Sequence, residues 1–171
     1  YTPSSKGGKF DKIVSVKTST ERADEATAAL QKTDYQTFSD ILQNKLKNDI
    51  NIVNSKGDPL IVMAATFGNL QALQDLVLAG ADVNKPNSFS KDTALLRSLY
   101  GNFPEITRFL VYSGADINAK NNYNHSPMYL ALEKRQGEFI DLFLSSGVRE
   151  GLNSHYLFRS CATKNAMCVL A

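Results

Sequence analysis

The sequence predicts an all-α solenoid, built from helix-turn-helix units that stack side by side and carry extended finger loops. The first observation is a repeated Gly-Ala-Asp motif, whose glycines Gly80 and Gly114 lie 34 residues apart. The second is the spacing of three helix starts, Pro59, Thr93 and Ser126, which are separated by 34 and 33 residues. A period of about 33 residues accommodates two short helices and a loop, which is typical of stacked helical repeats.

The best-defined unit, "GDPLIVMAATFGNLQALQDLVLAGADVN", contains two amphipathic helices. In the first helix, the small side chains of Ala64 and Ala65 lie on the apolar face and let a second helix approach closely. The second helix carries an apolar stripe at three- and four-residue spacing, formed by Leu70, Leu73, Leu76 and Val77. Gly80 follows, where a C-cap requires positive φ. Such a unit cannot bury both faces alone, so it must stack on its neighbours.

This order of parts resembles the ankyrin repeat, a unit of about 33 residues with a turn and two helices. The resemblance covers roughly Ala23 to the C-terminus and is strongest from Gly57 to Gly147. It implies a domain that binds other proteins. The predicted boundaries are 1–17 for an N-terminal extension, about 18–53 for a degenerate N-terminal cap repeat, about 54–86, 87–120 and 121–148 for three repeats, and 149–171 for a truncated C-terminal cap.

The N-terminal cap repeat has its own helix-start signal. Thr18 and Glu21 have the spacing of a capping box, in which each side chain accepts a hydrogen bond from the backbone of the other residue. We therefore expect a helix that opens at Thr18 and continues to about Lys32.

The third and fourth units depart from the family pattern at defined positions. Asn102 and Arg135 stand where the family has a glycine between the helices, and Leu99 replaces the second small alanine. Asparagine tolerates the left-handed conformation, and Pro104 suits a first helical turn, so we expect the architecture to persist. The third finger is one residue longer than the others, around Phe89.

Composition argues against several classes of protein. The chain has 171 residues, 43% of them hydrophobic, which is enough for one domain. Its formal net charge of +2 leaves no basic footprint of the kind that nucleic-acid binding requires. No apolar run approaches the roughly 18 residues of a membrane span. The sequence contains no motif for a catalytic nucleophile, a phosphate loop or a metal. We therefore expect a protein that is not an enzyme and holds no cofactor or metal.

The resemblance also implies where a partner would bind: on the finger tips and on the outward side of each first helix, together called here the finger surface. The matching positions are Ser55, Lys56, Asp58, Thr66, Phe67, Phe89, Ser90, Asp92, Tyr100, Asn122, Tyr123, His125, Glu133 and Lys134. Four of them are aromatic, and aromatic side chains dominate interface hot spots because they bury large areas with few rotatable bonds. We expect Phe89 in particular to be held out as an anchor.

A structural role for the same residues stays open. Phe67 could pack beneath the longer third finger, and Tyr123 could pack against Phe89. His125 could stabilise its finger by hydrogen bonding instead of contacting a partner, and the charged members of the set could be ordinary solvated side chains.

The leading functional hypothesis is a non-enzymatic module that docks a folded protein, which could be an enzyme, on its finger surface, and that is a monomer when unbound. A narrower form makes it an inhibitor or immunity protein that plugs an enzyme cleft. The alternative is a scaffold, an adaptor or a secreted effector that bridges larger assemblies. The sequence predicts neither a nucleic-acid partner nor insertion into a membrane.

The two cysteines bear on the compartment. Cys161 and Cys168 are seven residues apart, and the turn expected between them at Lys164 and Asn165 could bring them within disulfide distance. They could equally be two small buried apolar side chains. The first residue is Tyr1 rather than methionine, which a cleaved export signal, an artificial chain start or a missing tail would each explain. Localisation stays open, with a small stand-alone protein exported to the bacterial periplasm favoured over a cytoplasmic one.

Overall fold

The computed structural model describes residues 17–46 and 49–147 of the chain. These residues form eight α-helices in four pairs and contain no β-sheet, so the chain is an all-α solenoid, as predicted. The helices are α1 Ser19–Gln31, α2 Tyr35–Lys45, α3 Leu60–Thr66, α4 Leu70–Leu78, α5 Ala94–Gly101, α6 Pro104–Tyr112, α7 Pro127–Glu133 and α8 Gly137–Ser145.

The pairs stack in chain order. The first helices α1, α3, α5 and α7 contact one another in sequence, and the second helices α2, α4 and α6 do the same. Small side chains make this close approach possible, since Ala64 and Ala65 of α3 and Ala131 of α7 are fully buried. One hydrophobic cluster runs through all four pairs, which confirms that the units share a core instead of folding separately.

Helix starts follow the predicted positions. Helices α3, α5 and α7 begin directly after Pro59, Thr93 and Ser126. The capping box of α1 is complete: the Thr18 hydroxyl accepts from the Glu21 N–H at 3.2 Å, and the Glu21 carboxylate accepts from the Thr18 N–H at 2.8 Å. These bonds satisfy donors that the first turn of a helix leaves without intrahelical partners.

Turn conformations also follow the repeat period. Gly80 and Gly114, which follow second helices, have φ of 90° and 89°, a region that glycine enters without steric cost. Gly68 joins α3 to α4 with φ of 70°, and Asn102 and Arg135 keep that conformation in the next two pairs with φ of 58° and 56°. The departures from the inter-helix glycine therefore leave the fold intact, as expected.

Several predictions from the sequence lie outside the described residues. They are the N-terminal extension up to residue 16, the truncated cap at 149–171 and the proposed pairing of Cys161 with Cys168. The repeat boundaries stay predictions.

Candidate protein-binding surface

Three loops, residues 54–58, 87–92 and 121–125, precede α3, α5 and α7 and are called here the second, third and fourth fingers, after the repeats to which they belong. Each finger begins with a buried asparagine, Asn54, Asn87 or Asn121, whose exposed fractions are 3%, 2% and 6%. The Asn54 amide oxygen accepts from the backbone N–H groups of Lys56 at 3.0 Å and Asp58 at 2.9 Å, which closes the loop. The sequence prediction missed these asparagines, although their spacing of 33 and 34 residues matches the repeat.

The third finger is longer, as predicted. Its ends meet where the Asn87 N–H donates to the Asp92 carbonyl at 2.9 Å, a separation of five residues. In the second finger the corresponding bond joins Asn54 to Asp58, a separation of four. The additional residue extends the loop at its tip, where the Phe89 side chain is 80% exposed.

The three finger tips present a line of exposed side chains. Counting from the buried asparagine of each finger, the third residue is Lys56, Phe89 or Tyr123, and these three are called here the tip row. Tyr123 is 61% exposed, and Lys56 is also exposed. Two aromatic rings and one cation therefore face solvent at equivalent positions of successive repeats.

Hydrogen bonds between neighbouring fingers hold this line together. The Ser88 N–H donates to the Gly57 carbonyl at 2.9 Å, and the Asn122 N–H donates to the Ser90 carbonyl at 2.8 Å. The Asn122 side-chain amide also donates to the Phe89 carbonyl at 2.9 Å. The finger backbones are thus fixed before any partner arrives, which lowers the entropy cost of binding.

The contact between the second and third fingers can be tested at Gly57. A Cβ added there would lie 2.6 Å from the Ser88 Cβ, and φ is +78°, so Gly57→Ala must both strain the backbone and push the fingers apart. Gly80→Ala is the matched control, because φ is +90° but nothing lies within 4 Å of the added Cβ. We expect losses in free energy of unfolding of about 1 kcal/mol for Gly80→Ala and about 2–4 kcal/mol for Gly57→Ala. Urea unfolding measures both, and equal losses would show that the fingers do not pack as described.

Two residues predicted to face a partner are buried instead. Ser90 and Asp92 are only 5% and 4% exposed. The Ser90 hydroxyl donates to one oxygen of the Asp92 carboxylate at 2.6 Å, and the Asn121 amide donates to the other at 2.7 Å. Arg97 pairs with the same carboxylate at 3.0 Å. Both side chains are therefore used to join the third finger to the fourth, and neither is exposed as we expected of a residue that contacts a partner.

Tyr100 and His125 form a second connection below the tips. The Tyr100 hydroxyl lies 2.8 Å from His125 Nδ1 and accepts from the Asn121 amide at 3.2 Å. Burial raises the pKa of Tyr100. The His125 ring stacks on Tyr129 with a centroid distance of 4.7 Å, and the Lys134 ammonium lies 5.5 Å from the Tyr100 ring centroid. This arrangement is the finger-stabilising role considered for His125.

The predicted positions therefore fall into three groups, of which the buried pair Ser90 and Asp92 is the first. The exposed ones are Ser55, Lys56, Phe89, Asn122, Tyr123, Glu133 and Lys134. The half-buried ones are Asp58, Thr66, Phe67, Tyr100 and His125. Within the half-buried group, Phe67 and Tyr100 pack against the hydrophobic core, so two of the four aromatic side chains, Phe89 and Tyr123, are exposed. The Tyr123 ring also contacts the His125 ring, with a centroid distance of 6.0 Å.

Within residues 17–46 and 49–147, no helix is long and apolar enough to cross a bilayer. No group of three or more histidine, cysteine or acidic side chains there could hold a metal ion.

Comparison with known proteins agrees with this architecture. The family model described as "Ankyrin repeats (3 copies)" matches residues 27–121 and, in a second match, residues 60–153. The Ankyrin repeat and SAM domain-containing protein 6 of Rattus norvegicus is 33% identical over 119 residues, which are 68% of this chain and 13% of the rat protein. The Ankyrin repeat and KH domain-containing protein mask-1 of Caenorhabditis elegans is 31% identical over 90 residues, 51% of this chain and 3% of the nematode protein. The chain spans a small part of these relatives and belongs to the ankyrin-repeat family.

Proposed function

We propose that this protein-interaction module docks a folded partner protein on its finger surface, with Phe89 and Tyr123 as the two anchoring side chains. The observation that carries the proposal is their exposure, 80% and 61%, on a backbone that inter-finger hydrogen bonds already fix. Neither ring belongs to the hydrophobic core, so we expect neither to contribute much to the stability of the fold. Large exposed apolar side chains held in a fixed geometry are typical of binding sites.

The proposal predicts a selective loss of binding in the double variant Phe89→Ala with Tyr123→Ala. The variant is expected to keep its unfolding midpoint and to bind its partner at least about tenfold more weakly, or about 1.4 kcal/mol. The matched control is Leu78→Ala with Tyr112→Ala, which removes two side chains that are 85% and 79% exposed at the C-terminal ends of α4 and α6. Partners captured from a lysate of the source organism are quantified by mass spectrometry, and their affinities are then measured by calorimetry.

The two variants distinguish binding through the finger tips from binding through the C-terminal ends of α4 and α6. Loss of a partner from the finger variant alone supports the proposal. Equal capture by parent and finger variant, or loss in the control alone, would contradict it. A large drop in the stability of the finger variant would instead favour the packing role for these rings.

A narrower proposal is that the partner is an enzyme whose cleft receives the third finger, which would make the chain an inhibitor or immunity protein. The additional residue in that finger supports it, because it extends the Phe89 tip. The test is the activity of the captured enzyme with and without the purified chain, and unchanged activity at saturating concentration would exclude inhibition. As part of the same proposal, the chain is a monomer when unbound and has no enzymatic activity, cofactor or nucleic-acid partner. The proposal also includes a bacterial origin and export from the cytoplasm.

A second candidate is an adaptor or effector function within a larger assembly. One observation favours it: the matched region is only 13% of the rat relative, so in that protein the repeats are one part of a longer chain. Recovery of several components that bind each other only in the presence of the chain would support this candidate over the inhibitor.

A further inference from the structure

We infer that the partner presents carboxylate groups around the apolar pocket that receives Phe89 and Tyr123. This inference rests on the proposed function and specifies the chemistry of the partner. Its basis is the distribution of charge over the finger surface and over the layer of second helices.

Exposed cations on the finger surface have no carboxylate partner within the described part of the chain. Lys56 lies in the tip row, Lys91 follows the third tip, and Lys134 follows α7; all three are exposed. The ion pairs between described residues use other cations, namely Lys17, Lys45, Arg97 and Arg108. The Lys134 ammonium donates to the Tyr100 carbonyl and lies over the Tyr100 ring. The ammonium groups of Lys56 and Lys91 are therefore the ones on this face that are available to carboxylates of a partner.

Acidic side chains on the same face are largely occupied. Asp92 is buried and paired with Arg97. Asp24 accepts from both the backbone N–H and the hydroxyl of Ser55, each at 2.9 Å. Asp58 is half-buried, which leaves Glu133 as the exposed acid among the predicted contact positions. The exposed charge of the finger surface is therefore positive.

The second helices carry more exposed acidic side chains than exposed cations. Their exposed acids are Asp40, Glu105, Glu138 and Asp141, and their exposed cations are Lys45 and Arg108. Lys45 is paired with Glu25, and Arg108 with Glu138. Within the described residues, exposed cations therefore lie at the fingers and exposed acids on the second helices. Such a separation orients an approaching acidic surface toward the fingers.

Lys91 allows the charge to be removed without disturbing the finger. It has φ of +60°, a conformation that L side chains rarely adopt, and the second finger has Gly57 at the corresponding place with φ of +78°. Glycine enters this region without steric cost. Lys91→Gly is therefore expected to unfold at a temperature no lower than that of the parent, while it removes one ammonium group from the binding face.

The combination of exposed lysines and exposed aromatic rings on the finger surface favours a protein partner over a nucleic-acid partner. Three lysines are few for a phosphate backbone, whose recognition produces a strongly basic patch. Two exposed aromatic rings on a hydrogen-bonded row instead match the apolar anchors of protein interfaces, which charged contacts commonly surround.

The test uses a phage-displayed library of a small folded domain with randomised loops, selected in parallel on the parent and on a Lys56→Glu, Lys91→Glu variant. Loops selected on the parent are expected to be enriched in aspartate and glutamate beside apolar residues, and loops selected on the variant in lysine and arginine. The leading parent binder is expected to lose about tenfold in affinity on the charge-reversed variant. It should keep its affinity for the control Lys32→Glu, Lys45→Glu, which reverses two exposed lysines outside the finger surface.

Failure of the inference and failure of the proposed function give different results. Binders that need Phe89 and Tyr123 but show no acidic enrichment, or no loss on charge reversal, would overturn the inference alone. Binders whose affinity is unchanged by Phe89→Ala with Tyr123→Ala would contradict the proposed function. A DNA strand of about 20 nucleotides serves as a further probe. If it bound as tightly as the leading binder and depended on the lysines alone, it would overturn the inference in favour of a polyanion site.

Discussion

Asn121→Ala is expected to lower the free energy of unfolding by about 2–4 kcal/mol, because it removes the central hydrogen-bonding residue between the third and fourth fingers. The side-chain oxygen of Asn121 accepts from the N–H groups of Tyr123 at 3.0 Å and His125 at 2.9 Å. Its amide nitrogen donates to the buried Asp92 carboxylate at 2.7 Å and to the Tyr100 hydroxyl at 3.2 Å. Alanine would leave two backbone donors and one carboxylate oxygen without these partners.

Urea unfolding followed by circular dichroism measures this loss. Asn122→Ala is the control, since this neighbour is exposed and its side-chain bond to the Phe89 carbonyl is made in contact with water. A loss of less than about 1 kcal/mol is expected there, because exposed hydrogen bonds contribute little net stability. If both variants lost the same free energy, the buried network would not contribute what its geometry implies.

Leu99→Ala is expected to cost about 3 kcal/mol or more, although it would restore the small residue typical of this position in the family. Leu99 is fully buried in α5 and lies one repeat after Ala65, which is also fully buried in α3. Because the surrounding core has closed around the larger side chain, alanine would leave a cavity that its neighbours fill only in part.

Thermal and urea unfolding of Leu99→Ala provide the measurement, with Leu78→Ala as the control. Leu78 is 85% exposed, so its truncation is expected to change the free energy of unfolding by less than about 0.5 kcal/mol. A Leu99→Ala variant as stable as the parent would show that the third pair tolerates the family pattern and that the packing around α5 is loose.

The helices could be predicted from the sequence because their signals are local and repeated. The capping box at Thr18 and Glu21 lies within one turn, and Gly80 and Gly114 recur at the repeat period where positive φ is required. Even the substituted turn at Asn102 was predictable, since asparagine tolerates the left-handed conformation.

The burial of Ser90 and Asp92 in the third finger could not be predicted in the same way. Ser90 and Asp92 lie in a polar loop, where isolated serine and aspartate are usually solvated. They become buried because Asn121, about 30 residues later, donates from the next finger and Arg97 approaches from α5. The partners of a polar side chain across two repeats depend on how the repeats stack, which the local sequence does not specify.

The aromatic positions show the same limit. Phe89 and Tyr123 were expected at finger tips and are exposed there. Phe67 and Tyr100 lie at the C-terminal ends of first helices. There, a small rotation of the helix decides whether a ring faces the finger surface or the core. Both pack against the core, and the Tyr100 hydroxyl forms a hydrogen bond with His125 of the next finger.

Site-specific photo-crosslinking can detect a folded partner that docks on the finger tips. A photoreactive phenylalanine analogue replaces Phe89 in one variant and Tyr112 in another, positions that are 80% and 79% exposed and therefore equally accessible. After irradiation in a lysate of the source organism, we expect one folded partner covalently attached through position 89 and little or no product through position 112. Equal crosslinking at both positions, or a partner attached only through position 112, would contradict it.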